Sequence, residues 1–420
     1  VNKERFLLVG VKSFWSRRWG RASSKVKSTD SGKLSYLESI RGIAACAVVL
    51  AHLLATYYPG AGKGLSSAPH IGEGTFAELF YGLPAGFMAS GSFAVIIFFT
   101  LSGFVLTYKY FQNHKMKDLH RQAAKRYFRL AIPIFFIVII AYLLIANGAM
   151  SSVHKVGQMT GSVEAARLFD FVPDIAQAFY AATIGVLVDK NVQFNPVLWT
   201  MSVELIGSFV VFGLAALIGN LNKRWIIYIG AVIALSHSYY VCFVLGMILA
   251  DLVHTTKFID YVRNEVSKFY VYGLLIIVAV LASFPEPISI DVSGTFYEHL
   301  LVPGASPFFV FQQWQFFSAF VLLGVILIRP ELQRLLSNKI LVFIGGISFA
   351  VYLTHYLVLH SLGDWSYVLM RDSSHGPNSA ALVAAIVTIV VTLFVSIFWK
   401  KYIDDMSVRV SRRVADILLK

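Results

Sequence analysis

Charged side chains are scarce in this 420-residue chain, with Asp, Glu, Lys and Arg making up 14% of it against 57% hydrophobic residues. Soluble domains carry about 25% charged residues, so this composition cannot cover an ordinary water-facing surface, and a soluble globule is excluded. The mean hydropathy of +0.68 agrees. Cysteine is nearly absent. Cys46 and Cys242 both fall within apolar runs, where they act as small apolar residues and carry no information on redox compartment. Acidic residues are outnumbered, 23 against 36 Lys and Arg, for a net charge of +13. No nucleic-acid-binding module accompanies that charge, so its expected partners are anionic membrane lipids or an anionic cytosolic ligand, not nucleic acid. No internal repeat relates the two halves, which argues against a transporter built from inverted repeats. A cleavable signal peptide is not expected.

What the chain has in abundance is long apolar runs, at about 40–57, 86–108, 128–147, 198–218, 225–237, 238–253, 269–283, 315–328, 340–362 and 380–399. Each reaches or approaches the roughly 20 residues that cross a bilayer as a helix. The expected fold class is therefore all-α: a polytopic membrane helix bundle of about ten transmembrane helices. With the N-terminus in the cytoplasm, 30 Lys and Arg fall on the cytoplasmic side and five outside, namely Lys63, Lys155, Arg167, Lys190 and Arg371. That asymmetry follows the positive-inside rule and puts both termini in the cytoplasm. Residues 1–35 read as a basic cytoplasmic tail, disordered or lying on the inner surface through "RFLLVGVKSFWSRRW". Residues 36–400 form the membrane domain, and 401–420 a second basic cytoplasmic tail. Long connections fall at 58–85, 148–197 and 284–314, all on the outer side. The last has no Lys or Arg, carries Asp291, Glu298 and His299, and ends in "PFFVFQQWQFF". It reads as a re-entrant segment beside an outward-facing site, or as an aromatic belt.

Polar residues at hydrocarbon depth cost several kcal/mol unless they face a polar interior, which makes them functional suspects. In "ESIRGIAACAVVLAHLLATYY", Arg41 and His52 stand eleven positions apart. They share a helical face about 16 Å apart along the axis. His52 lies about 18 Å above the inner boundary and Glu204, in "LWTMSVEL", about 9 Å below the outer one, so the two share a level. A carboxylate beside an imidazole fixes its tautomer and raises its basicity, so His52 is a candidate general base and Glu204 the group that orients it. Ser348, Tyr352 and His355 share a face at i, i+4 and i+7. They form a second polar wall of that cavity, completed by Trp199, or else interhelical hydrogen bonds. Arg126 and Arg129 sit one turn apart just before the third run. With Arg41 they could clamp phosphates by bidentate hydrogen bonds, or they could serve only to set topology.

The segments "YLESIRGIAACAVVLAHL", "FFTLSGFVLTY", "KRYFRLAIPIFF", "LWTMSVEL" and "IGGISFAVYLTHYLVL" occur in the order found in the acyltransferase 3 family of integral membrane acyltransferases, which the chain resembles from about Tyr36 to Lys400. The resemblance implies transfer of an acyl group, usually acetyl, from cytoplasmic acyl-CoA to a hydroxyl on the far side, often of a sugar. Acyl-CoA is then the donor, and no metal is expected. The family's Arg-x10-His pattern falls on Arg41 and His52, and its acid on Glu204. Many relatives carry an extra extracytoplasmic esterase-like domain, which this sequence does not show. Transfer is therefore expected to be direct or to use a separate partner. His52 would act as general base toward the acceptor hydroxyl, or would carry the acyl group itself. The alternative is a proton-coupled transporter or lipid flippase using Arg41, His52 and Glu204 as a relay. A non-catalytic receptor is the weakest reading, since it gives no reason to hold costly groups at matched depth. The acceptor is read as a carbohydrate or glycolipid, with sterol-like and secondary-metabolite hydroxyls open. Plasma membrane and endomembrane are not distinguished.

Overall fold

A computed structural model describes residues 34–59, 86–255, 258–286, 292 and 296–419. The basic N-terminal segment, nearly all of the 58–85 connection and Asp291 lie outside the described residues. Every regular element among the described residues is helical, as lipid requires of a chain that must satisfy its backbone hydrogen bonds internally. The order is α1 (Ser35–Tyr57), α2 (Gly91–Asn113), α3 (Met116–Ala146), then the short α4 (Ser152–Thr160), α5 (Val163–Arg167) and α6 (Ile175–Tyr180). There follow α7 (Trp199–Ile218), α8 (Arg224–Leu235), α9 (Tyr240–Thr255), α10 (Phe258–Glu265), α11 (Lys268–Ala282), α12 (Pro307–Ile328) and α13 (Pro330–Leu336). The chain closes with α14 (Lys339–Val358), α15 (Asp364–Asp372), α16 (Pro377–Trp399) and α17 (Asp405–Leu418). Single π-helical turns, Leu359–Gly363 and Lys400–Asp404, join α14 to α15 and α16 to α17 without a break.

A helix covers each of the ten apolar runs. Seven helices among the described residues are long and apolar enough to cross a membrane, and the α9–α10 pair makes an eighth if it forms one broken span. α8 and α11 are apolar but shorter. The protein is thus an integral, multi-pass helical membrane protein. The aromatic segment "PFFVFQQWQFF" turns out to be the first three turns of α12. Pro307 opens that helix and Ser306 Oγ accepts from Phe309 N at 3.2 Å, a cap that starts the helix earlier than hydropathy alone indicates. The buried Gln315, an obstacle to an apolar reading, donates to the Ala282 carbonyl at 3.1 Å.

Close helix contacts rest on glycine. A Cβ on Gly103 would run into the Phe243 carbonyl and one on Gly246 into the Thr100 carbonyl, so the backbones of α2 and α9 touch. The same holds between α1 and α14, where a Cβ on Gly42 would come within 2.7 Å of Gly345 N and one on Gly345 would meet the Glu38 carbonyl. Small residues permit this approach, and dispersion between the abutting surfaces is what rewards it inside lipid. The consequence for function is that α1 and α14 are held at fixed register. The basic C-terminal segment is helical: α17 lies along α3, with Arg121 Nη2 2.5 Å from Asp416 Oδ1.

Candidate active site

One end of the bundle gathers cations. Arg41, in the second turn of α1, lies 4.0 Å from Glu38, both side chains about a third exposed. Arg126 on α3 donates to the Glu204 carboxylate on α7, and to Ser208 Oγ at 2.6 Å. Glu204 also accepts from Ser102 Oγ on α2 at 2.5 Å. Arg129, one turn on, donates to the Asp404 carboxylate in the π turn before α17 and to Ser407 Oγ, and its guanidinium lies 5.7 Å from the Phe349 ring centre. Arg126 and Arg129 stand one turn apart on α3, and Phe349, beneath Arg129, lies one turn along α14 from Gly345, which abuts Glu38 and Gly42 beside Arg41. The three arginines therefore sit at one end of the bundle, each facing a carboxylate.

The other end gathers imidazoles. The His52 ring on α1 is 5.3 Å from that of His355 and 5.0 Å, edge to face, from Tyr356, both on α14. His52 makes no hydrogen bond among the described residues. His355 holds the Val351 carbonyl 3.0 Å from Nδ1, which fixes the proton on that nitrogen and leaves the buried Nε2 without a partner. Beyond Tyr356 its ring meets His360 at 4.5 Å, and its hydroxyl donates to Glu164 on α5 at 3.3 Å. His360 Nδ1 is 2.9 Å from Asp364 Oδ2, and Asp364 Oδ1 accepts from Tyr57 OH at 3.1 Å. The π turn makes this arrangement: by carrying an extra residue at the end of α14 it points His360 and Asp364, four residues apart, into the bundle. Glu164 is delivered by Ser162, which caps α5 by accepting from Ala165 N at 3.4 Å and reaches the Ala55 carbonyl of α1 at 3.5 Å.

His52, Thr56, Ser162, Glu164, Tyr356 and His360 line a recess of about 220 Å³, mouth included, with room inside for about one water molecule. A single hydroxyl fits there. A sugar ring does not.

The level estimated from helix rise does not make His52 and Glu204 partners. Glu204 lies at the arginine end, where Arg126 donates to it, because counting residues along a run does not tell how far one helix is shifted against another. Of the second polar wall, only His355 adjoins His52. Ser348 Oγ is spent on the Gly345 carbonyl at 2.7 Å, and Tyr352 OH ties α14 to the Val197 carbonyl and Thr200 Oγ1, each at 2.9 Å. Trp199 packs against Tyr239 and Phe99, at 5.3 and 6.4 Å, in a separate aromatic group. Sequence reasoning missed Glu164, Tyr356, His360 and Asp364. The one signal available was the His-x3-Asp spacing of 360 and 364. No group of three or more His, Cys, Asp or Glu among the described residues is arranged to hold a metal ion.

Residues 34–399 match the acyltransferase domain that defines one family of membrane enzymes. The chain belongs to the acyltransferase 3 family. The match spans all the described helices except α17 and both ends of the site. Among curated proteins, an acyltransferase of Cochliobolus lunatus, clz18, is 22% identical over 419 residues, covering 83% of this chain and 88% of its own. No solved structure matches. In this acyltransferase 3 protein, α1 carries Arg41 at the arginine end and His52 at the imidazole recess, and α14 runs beside it from Phe349, under Arg129, to Tyr356.

Proposed function

We propose that the protein is a membrane O-acyltransferase that moves an acyl group, acetyl in the first instance, from cytoplasmic acyl-CoA to a hydroxyl on the far side of the membrane, presented by a carbohydrate or glycolipid. The observation that carries this reading is the two-ended site along α1: three arginines at one end, and at the other an imidazole with no hydrogen bond among the described residues, on a recess that admits one hydroxyl. Arg41, Arg126 and Arg129 hold the phosphates of coenzyme A, which displace the carboxylates now facing them. His52, about three helical turns away, stands at the thioester carbon. Glu204 belongs to the donor end, as the carboxylate that occupies Arg126 until a phosphate displaces it. The reading takes ten crossings with both termini in the cytoplasm, residues 36–400 as the catalytic unit, and final transfer that is direct or completed by a separate partner.

The test is isotope-labelled acetyl-CoA supplied to the purified protein together with membrane and polysaccharide extracts. An acyltransferase moves label into an acceptor and frees thiol; a transporter or flippase leaves the donor intact. His52→Ala should lower turnover at least a hundredfold while the protein stays folded, because a small apolar residue costs little in lipid and a reacting imidazole contributes on that order. Wild-type turnover in that variant would overturn the assignment of His52.

A further inference from the structure

His52 lacks a feature that an imidazole base ordinarily has, a carboxylate on its second nitrogen, and no hydrogen bond among the described residues supplies one. Another imidazole on the same recess has it. His360 is 3% exposed and Asp364 fully buried, with Nδ1 and Oδ2 2.9 Å apart. Nδ1–H donates to the carboxylate, so the lone pair of His360 is on Nε2, the nitrogen left for the recess. The second oxygen of Asp364 is not idle, since Tyr57 OH donates to it at 3.1 Å, while Tyr57 is itself stacked on Tyr367 at 5.0 Å. A buried carboxylate with both oxygens engaged holds its imidazole at a set angle, and it stabilises that ring if the ring gains a proton.

We propose that His360, held by Asp364, is the base that accepts the proton of the acceptor hydroxyl. This rests on the acyltransferase reading above and divides the chemistry between two imidazoles that both pack against the Tyr356 ring, 5.0 Å from His52 and 4.5 Å from His360. The acceptor O–H bond breaks toward His360 Nε2 as its oxygen bonds to the acyl carbon. The carbon–sulfur bond breaks, and the proton on His360 passes to the departing sulfur, so that coenzyme A leaves as a thiol and both imidazoles return to their starting state. His52 faces the acyl carbonyl from the opposite side and donates to its oxygen as negative charge builds there. The other titratable groups lining the recess are Glu164 and Tyr356, which bind each other, while His355 backs His52 from α14 without lining it. None of them combines an imidazole with a carboxylate partner.

The size of the recess provides the test, because it has room for a water molecule and hydroxylamine is larger by only one heavy atom. Water needs a base to react with a thioester, whereas hydroxylamine is nucleophilic without one. Thiol release from acetyl-CoA is measured on the purified full chain with water alone and with hydroxylamine, for wild type, His360→Gln, Asp364→Asn and His52→Ala. Loss of a general base should slow the water reaction of His360→Gln about a hundredfold and its hydroxylamine reaction less than tenfold. Asp364→Asn should show the same split at smaller amplitude, which keeps the test open if the His360 variant fails to fold. His52→Ala should lose both reactions together. Equal losses with the two nucleophiles in the His360 and Asp364 variants, or no loss, would make the dyad structural and overturn the proposal. A wild-type protein that frees no thiol with either nucleophile would overturn the acetyl-CoA reading itself, a different result from either.

Discussion

At the scale of single residues, Glu204 separates two kinds of evidence. Its depth suggests the reacting centre; its contacts put it on Arg126 and Ser102. Contacts decide, because an ion pair with side chains 13% and 14% exposed leaves each member dependent on the other for its charge balance. Glu204→Gln keeps an oxygen for the Ser102 and Arg126 hydrogen bonds and removes only the charge. It should cost about 2 kcal/mol, between the values for exposed and fully buried pairs, seen as a lower midpoint of thermal unfolding in detergent. Acetyl-CoA binding by isothermal titration should hold or tighten, because Arg126 is freed for phosphate. Arg126→Gln should weaken donor binding by about 1.5–3 kcal/mol, the range for a charge-assisted hydrogen bond. If Glu204→Gln instead lost turnover at unchanged stability, the carboxylate would belong with His52 after all.

At the scale of helices, the site depends on how closely α1 meets α14, since His52 rides on one and His355, Tyr356 and, past the π turn, His360 on the other. Gly345 sets that distance. A methyl group there has no room against the Glu38 carbonyl, whereas one on Gly346 meets nothing within 4 Å. Gly345→Ala should force the helices apart at a cost of about 1–3 kcal/mol and lower turnover severely, while Gly346→Ala should leave both stability and turnover near wild type. Paired unfolding and thiol-release assays check this, and equal behaviour of the two variants would show that α1–α14 spacing is not what holds the imidazoles. Much at this scale was legible in the sequence. Ten apolar runs located ten helical segments, because lipid allows an apolar chain little else, and the eleven-residue spacing of Arg41 and His52 gave their shared face. What was not legible was azimuth. Nothing in hydropathy tells that Arg126 reaches Glu204, or that Tyr352 spends its hydroxyl on Val197. Nor could periodicity of 3.6 show His360 and Asp364 facing inward, because the π turn at Leu359–Gly363 breaks the phase on which such readings depend.

At the scale of the molecule, the proposed function requires the two ends of the site to open into different compartments, and the chain offers places to ask. The recess end is built partly from α5, immediately after α4, which carries the exposed Lys155. The arginine end is bound to the π turn before α17 through Asp404, and α17 carries the exposed Arg413; Lys115, also exposed, precedes α3. With Cys46 and Cys242 replaced by Ala, the described residues hold no native thiol, and single cysteines can be introduced at each of the three positions. In sealed cells, a membrane-impermeant maleimide should label Lys155→Cys at once and should reach Lys115→Cys and Arg413→Cys only after permeabilisation. That pattern would put the recess toward the acceptor's side and the arginines toward cytoplasmic acyl-CoA, the direction in which the Lys and Arg asymmetry points. The reverse pattern would put the cationic end outside, where acyl-CoA is not supplied, and the donor assignment would fall with it. Labelling of all three from one side would be more damaging still: the chemistry would then lie on a single face of the membrane, and α1 would have no reason to keep Arg41 and His52 three turns apart.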